Sequence, residues 1–249
     1  MKSPISWVGG KFKLANDIIS LIPEHKRYVE VFGGAGWVLF KKDESQEEVF
    51  NDLDSNLMNF WGVVKNYPKK FIKRYEWEII SREVFNDYKE KYLNNNYKDE
   101  FEQAHVFYYL VKTSFGSVMI SPSFGTGKCK SRLNLNNVKK DIMNASKRLE
   151  NVILENQSFE KIFEKYDDEE TFFFLDSPYR STKDYAVGKF TDDNYRELAE
   201  YCKNAKGKWL YTINDDEFIR DLFKDFNIVS HDVFYSVSKA EEGRKEYKE

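Results

Sequence analysis

Short apolar runs recur along the chain at Tyr28–Phe32, Glu48–Asn51, Asn151–Leu154, Thr171–Leu175, Lys208–Ile213 and Asp232–Val237. Their length and their turn-forming flanks predict strands. Between them, apolar residues return at helical spacing. Leu14, Ile18, Leu21 and Ile22 would share one face of a helix, as would Tyr195, Leu198, Ala199 and Cys202. Asn214 followed by Glu217 has the form of a capping box for a helix through Phe218, Leu222 and Phe223. Strands alternating with helices predict an α/β fold, a parallel sheet covered on both faces.

The alternation breaks between Ser55 and Glu150. Leu57, Trp61 and Val64, then Val84, Tyr88 and Tyr92, then Val138, Ile142, Ala145 and Leu149 are helical spacings with no strand between them. Among them lies "TSFGSVMISPSFGTGKCKSRL", whose glycines, prolines and alternation read as a ribbon or an irregular loop. The pattern is that of an α/β sheet interrupted by a mainly helical insertion, without internal repeats or low-complexity segments.

Composition narrows the class. With 249 residues, 41% of them hydrophobic, the chain can bury a core, and 33% charged residues make it soluble. No apolar run approaches the ~20 residues of a membrane span, and the opening "MKSPISWVGGKFKLAND" lacks the apolar stretch of a signal peptide. Cys129 and Cys202 lie far apart, which points to a reducing compartment and no disulfide framework. His25, His105 and His231 show neither metal nor triad spacing and read as structural residues. A net charge of −3 weighs against a nucleic-acid partner. Charge is uneven, however. Lys65–Tyr75 carries Lys65, Lys69, Lys70, Lys73 and Arg74 without an acid, and Gly127–Leu149 carries seven cations against Asp141 alone. Solvated helix faces and a phosphate-tracking surface both account for this.

Two segments carry candidate ligand chemistry. "YVEVFGGAGWVLF" ends a strand on Glu30 and runs through Phe32, Gly33, Gly34 and Gly36 toward an expected helix. A glycine turn after the first strand of such a sheet lets backbone approach a ligand closely. The next strand, "EVFND", ends at Asp52, where acids often hold ribose hydroxyls; with Glu30 and the glycines this points toward an adenosyl ligand, while Asp52 alone also reads as a turn residue in "NDLDSN". A third segment, "FFFLDSPYRSTKDY", ends a strand abruptly on Asp176-Ser177-Pro178-Tyr179, which by itself is ordinary turn chemistry.

Taken in order, "WVGGKFKLA" (Trp7–Ala15), "EVFGGAG" (Glu30–Gly36), "NDLDSNL" (Asn51–Leu57) and "DSPY" (Asp176–Tyr179) resemble the motifs of the Dam-type DNA adenine-N6 methyltransferases, and the resemblance extends over nearly the whole chain. It implies a Rossmann-like S-adenosylmethionine methyltransferase sheet. The catalytic and cofactor-binding part would be residues 1–54 and 151–249, and the target-recognition insertion residues 55–150. It implies methyl transfer from S-adenosyl-L-methionine to the N6 amine of adenine in double-stranded DNA, with S-adenosylhomocysteine as product and no metal. The target base would be flipped out of the duplex. Asp176 and the backbone carbonyl of Ser177 would accept the amine protons, with Tyr179 stacked on the base and Pro178 completing the tetrapeptide. Lys11 would hold the methionine carboxylate beside Trp7 and Gly10. Glu30 would lie near the methionine end, Gly34 and Gly36 would form the turn, Asp52 would take the ribose hydroxyls, and Phe32 and Phe159 would pack on the adenosyl group. Tyr185 and Phe190 would shape the pocket of the flipped base.

DNA would be met by Lys112, Ser114 and Phe115, and by Lys128, Lys130 and Arg132, the lysines on phosphates and Arg132 on a base edge. A cognate restriction endonuclease is the further partner that members of this group can have, and the setting would be the cytoplasm of a bacterium or of a phage-infected cell. Three departures stand out: Ser177 replaces the usual first proline of the tetrapeptide, Ser158 replaces an aspartate before Phe159, and Gly116 and Ile120 replace the asparagine and arginine of many relatives. The GATC specificity common among those relatives therefore does not carry over. N4-cytosine methylation, which needs the same two acceptors, and a DNA-binding relative with weak catalysis remain as alternatives. The chain ends "EEGRKEYKE" where relatives continue into a final strand, which leaves a longer natural protein or a disordered end.

Overall fold

Five of the six strands predicted from apolar runs, all but Asp232–Val237, assemble into one parallel sheet in the computed structural model, which describes residues 1–7, 9–125, 133–180, 188–234 and 246–248. The strands are β1 (Arg27–Glu30), β2 (Glu47–Asn51), β3 (Val152–Glu155), β4 (Thr171–Leu175) and β5 (Lys208–Tyr211), and their order is β3-β2-β1-β4-β5. Arg27 pairs with Glu47 on one side and with Thr171 on the other, so the central strands end together at Glu30, Asn51 and Leu175.

Successive strand side chains alternate between faces, and here both faces are covered. Tyr28, Phe50, Phe172 and Phe174 point into one core cluster, and Val29, Val49, Phe173 and Leu175 into the other. The second cluster is closed by α7 (Phe159–Tyr166), α8 (Asp192–Asn204) and α9 (Glu217–Leu222). The first is closed by α2 (Ser55–Asn66), α4 (Arg82–Leu93), α5 (Glu100–Thr113) and α6 (Leu135–Leu149), together with the short α1 (Ala15–Ser20). Residues 55–150 therefore share a continuous core with one face of the sheet. The expected face of α6, Val138, Ile142, Ala145 and Leu149, is buried throughout. A buried ion group reinforces the join: Arg148 of α6 grips Glu48 of β2 through two hydrogen bonds of 2.5 and 2.8 Å, and Lys42 completes the group.

Several expectations change. The segment after the glycine turn is not a helix but a series of turns, closed by Phe40 N–H to Gly36 O and Lys42 N–H to Val38 O. Nothing in the pattern predicted α5, nine of whose residues are buried, because a helix enclosed on all sides has no polar face to create a period. The short α3 (Pro68–Lys73) was also not predicted and starts on Pro68, as proline at a first helical position allows. Leu21 falls beyond α1 and is exposed. The cap of α9 is Asp216 rather than Asn214; its carboxylate accepts from the Phe218 and Ile219 N–H groups. Of the two readings of "TSFGSVMISPSFG", ribbon or irregular loop, the described part follows the second, with a 3-10 turn at Phe115–Ser117 and an isolated antiparallel bridge, Ser114 to Phe124. Near the end of the chain β6 (Asp232–Phe234) pairs antiparallel with β7 (Glu246–Lys248), apart from the parallel sheet. Among the described residues no helix is long and apolar enough to cross a membrane.

Candidate active site

The common ends of β1, β2 and β4 open onto one cleft, at the edge of a parallel sheet where ligands usually bind. Its floor is the glycine turn after β1. A Cβ on Gly33 would lie 2.4 Å from the Phe50 ring, so no other residue fits there. Gly34 and Gly36 both have positive φ, 51° and 66°, the region that glycine enters without steric cost. The turn is tied to the end of β2: Gly33 N–H donates to Asn51 O at 2.7 Å, and Gly34 N–H to Asp52 Oδ2 at 2.9 Å. Asp52 Oδ1 accepts from the Asp54 N–H at 2.9 Å. Burial outweighs these backbone donors and pushes the Asp52 carboxyl up to about 6.

Glu30 ends β1 almost wholly buried. One of its oxygens accepts from the Tyr28 hydroxyl at 2.8 Å and from the Leu39 N–H at 3.0 Å. Burial raises its carboxyl to about 8 against these two donors. Farther along the cleft stands an aromatic group. Phe32 lies 6.1 Å from Phe159 and 5.8 Å from Phe190, ring centre to ring centre. Ser158, which precedes α7, makes no side-chain cap to that helix. Beside it Glu160, in the first turn, has one oxygen buried and without a hydrogen-bond partner.

The tetrapeptide closes the opposite wall. Lys11 is buried and sends its ammonium to Asp176 Oδ1 at 2.7 Å, to the Gly9 carbonyl at 3.2 Å and to the Tyr179 hydroxyl. The same ammonium lies 4.5 Å from the centre of the Tyr179 ring. Burial raises the Asp176 carboxyl, opposed by Lys11 and by the Thr212 hydroxyl at 3.1 Å. Ser177 is 1% exposed, with its hydroxyl 2.6 Å from that of Tyr211. Tyr195 donates to the Pro178 carbonyl at 2.7 Å. Next in the chain, Arg180 forks between Asp192 and Asp216.

Most of the residues singled out in the sequence thus meet in one place. Trp7, Gly10, Lys11, Glu30, Phe32, Gly34, Asp52, Phe159 and Asp176–Tyr179 all line this cleft, and Gly36 closes the turn beneath it. Lys11 points at the tetrapeptide rather than standing apart from it, and Phe190 joins Phe32 and Phe159. Lys112, Ser114 and Phe115 lie at the end of α5, outside the lining. Lys112 donates to the Pro4 carbonyl, Ser114 is buried, and Phe115 is exposed. Lys128, Lys130, Arg132 and Tyr185 lie outside the described residues. The sequence reading missed Tyr195, Tyr211 and Thr212 as supports of the tetrapeptide. It also missed Asn51, which joins Val31 O and Gln157 O through its amide. Among the described residues no three metal-ligating side chains converge.

Comparison with known proteins bears on what this cleft does. The Type II methyltransferase M.CviBI of Paramecium bursaria Chlorella virus NC1A is 29% identical over 234 residues, covering 91% of this chain and 88% of that protein. The Type II methyltransferase M.MjaIII of Methanocaldococcus jannaschii is 28% identical over 270 residues, covering 92% and 90%. A DNA adenine methylase of Vibrio cholerae is 29% identical over 118 residues, covering 46% and 42%. The model of the family described as D12 class N6 adenine-specific DNA methyltransferase matches residues 7–237, from Trp7 at the cleft to beyond β6. With nearly its whole length inside that match, the chain belongs to the D12 class of N6 adenine-specific DNA methyltransferases.

Proposed function

We propose that the cleft binds S-adenosyl-L-methionine along the glycine turn and presents its methyl group to an adenine turned out of double-stranded DNA against Asp176–Tyr179. The observation that carries this reading is the continuity of a single cleft from Asp52 and Phe159 to the tetrapeptide. The residues present fit such a group. The glycine turn brings bare backbone at Gly33 and Gly34 to the lining, the Phe32–Phe159 pair offers aromatic faces, and the unpartnered Glu160 oxygen marks an acceptor without its donor. Asp52 would take the ribose hydroxyls, since each of its oxygens keeps acceptor capacity beyond one backbone N–H. Glu30 would face the ammonium of the methionine end.

When bound, the cofactor supplies a methyl group on a sulfonium, whose sulfur leaves as a neutral thioether. This chain's residues supply alignment and polarity. The adenine amine is a weak nucleophile because its lone pair is delocalised into the ring. Asp176 and the Ser177 carbonyl, each accepting a hydrogen bond from one amine N–H, would turn that pair toward the methyl group, and one of the two protons would be lost after transfer, to Asp176 or to water. Tyr179 would stack on the base, recovering part of what unstacking costs. The contacts of Lys11 favour a role at Asp176 and Tyr179, because its ammonium meets both, along with the Gly9 carbonyl. DNA would be met by the end of α5 around Lys112, Ser114 and Phe115, and by Lys128, Lys130, Arg132 and Tyr185, within the recognition segment 55–150 and next to the tetrapeptide. Two relatives spanning the chain are named Type II methyltransferases, which makes a cognate restriction endonuclease the partner to look for.

Labelled S-adenosylmethionine and duplex DNA test the reading, with single-molecule sequencing to locate the modified base and its context. Asp176→Ala should abolish transfer while cofactor affinity stays within several-fold. Near-parental turnover of that variant would overturn the mechanism.

A further inference from the structure

Serine in place of proline at position 177 removes a ring that would hold the backbone dihedral φ near −65°. Ser177 would carry the second acceptor on its main-chain carbonyl, so slack there would loosen the geometry of transfer. The structure supplies a different restraint. The Ser177 hydroxyl, sealed from solvent, lies 2.6 Å from the Tyr211 hydroxyl. Tyr211 is itself well anchored. It is the last residue of β5, paired in register with Leu175 of β4, and its ring packs 5.2 Å from Phe223. The neighbouring residues are tied as well. Thr212 N–H donates to Leu175 O at 2.9 Å and its hydroxyl lies 3.1 Å from Asp176 Oδ1, while Tyr195 donates to the Pro178 carbonyl. Asp176, Ser177 and Pro178 thus each have a partner on β5, just beyond it, or on α8.

We infer that Tyr211 is a positioning residue for methyl transfer: its hydroxyl, through the Ser177 side chain, holds the Ser177 carbonyl in place, doing the work that a proline ring would otherwise do. This rests on the proposed role of the tetrapeptide. It gives Tyr211 a function that depends on which residue occupies position 177. If Ser177 is replaced, the Tyr211 hydroxyl loses its purpose. Among the described residues no hydrogen bond leaves the Ser177 N–H, so a proline there forfeits no donor.

The experiment measures kcat and the KM for S-adenosylmethionine of the full chain on duplex DNA for Tyr211→Phe in three backgrounds: Ser177, Ser177→Ala and Ser177→Pro. With Ser177 present, Tyr211→Phe should lower kcat about 10-fold, the scale of one hydrogen bond, and leave KM within two-fold. In the Ser177→Ala and Ser177→Pro backgrounds the same substitution should change kcat by less than two-fold, and adding Ser177→Pro to Tyr211→Phe should raise kcat. An unchanged kcat for Tyr211→Phe with Ser177 present overturns the inference. So does an equal loss in the Ser177→Ala background, which would mean that Tyr211 supports the sheet only. Should the proline variant fail to fold, the alanine background decides alone. Asp176→Ala in the same assay separates the two levels: if it retains turnover, the reading of the tetrapeptide itself has failed.

Discussion

Lys11, buried, and Asp176, partly open to the cleft, form an ion pair with 2.7 Å between the ammonium nitrogen and a carboxylate oxygen, and Tyr179 lies against the same ammonium. Burial raises the Asp176 carboxyl and Lys11 opposes it. In the proposed role Asp176 accepts a hydrogen bond from the amine as a carboxylate, so Lys11, by favouring the ionised form, would set the lower pH limit of the reaction. Lys11→Met should move the acidic limb of the kcat profile to higher pH by about one to three units, the usual effect of an adjacent opposite charge. Cofactor affinity should change much less than kcat. A pH-rate profile with an unmoved acidic limb would refute the assignment.

Asp52 makes a second, separate prediction. Asp52→Ala should weaken S-adenosylmethionine binding by ~1–3 kcal/mol, the scale of hydrogen bonds to a charged acceptor. Its carboxyl lies at about 6 in the ligand-free protein, so parental affinity should fall as the pH drops through that value and the acceptor is protonated. The variant should lose this dependence. Calorimetry at several pH values checks both.

Glu30 predicts a proton count. With its carboxyl raised to about 8, it is mostly neutral at pH 7 in the free protein. A ligand ammonium placed beside it would favour the ionised form, so binding should release up to one proton near pH 7. Titration calorimetry in buffers of different ionisation enthalpy measures this, and Glu30→Gln should abolish it. The same shift has a stability consequence. A carboxyl raised by folding contributes stability that is complete below the ordinary carboxylate range and is lost as the pH rises toward 8. Glu30→Gln should flatten that decline in urea unfolding experiments.

The ion group at Glu48 predicts a structural loss. Burial alone would raise Glu48, but Arg148 and Lys42 hold it below the ordinary value. All three side chains are about 5% exposed. Arg148→Met would leave Glu48 half-paired in the interior and should cost about 3–5 kcal/mol, as removal of one member of a buried pair does. Urea denaturation followed by far-ultraviolet dichroism should register it, with little change in kcat below the unfolding transition.

How much of this could be read beforehand depended on whether a residue's role was local. Phe172–Leu175 was legible as a strand because both faces of β4 are buried and the run is unbroken. The stripe of α6 was legible because its opposite face is polar. Helix α5 offered no such contrast: Val106, Phe107, Tyr108 and Tyr109 are consecutive and all buried. Asp52, Lys11 and Asp176 could be picked out because they stand in recognisable segments. Tyr195, Tyr211 and Thr212 could not, because a hydroxyl on a helix or at a strand end looks the same in sequence whether it meets water or the tetrapeptide. The link from Tyr211 to Ser177 spans 34 residues and exists only through the pairing of β4 with β5.

The four aromatic side chains Tyr28, Phe50, Phe172 and Phe174 are covered by the segment between β2 and β3. That segment is therefore not a cassette. Exchanging it whole between relatives would strip a sheet face of its lid, and a chimaera would have to match its partner ring by ring. Divergence in this lineage should instead accumulate at exposed positions such as Phe115 and Ile120, rather than at Met119 between them, which belongs to that core. New specificities would then arise by retouching loops rather than by shuffling modules.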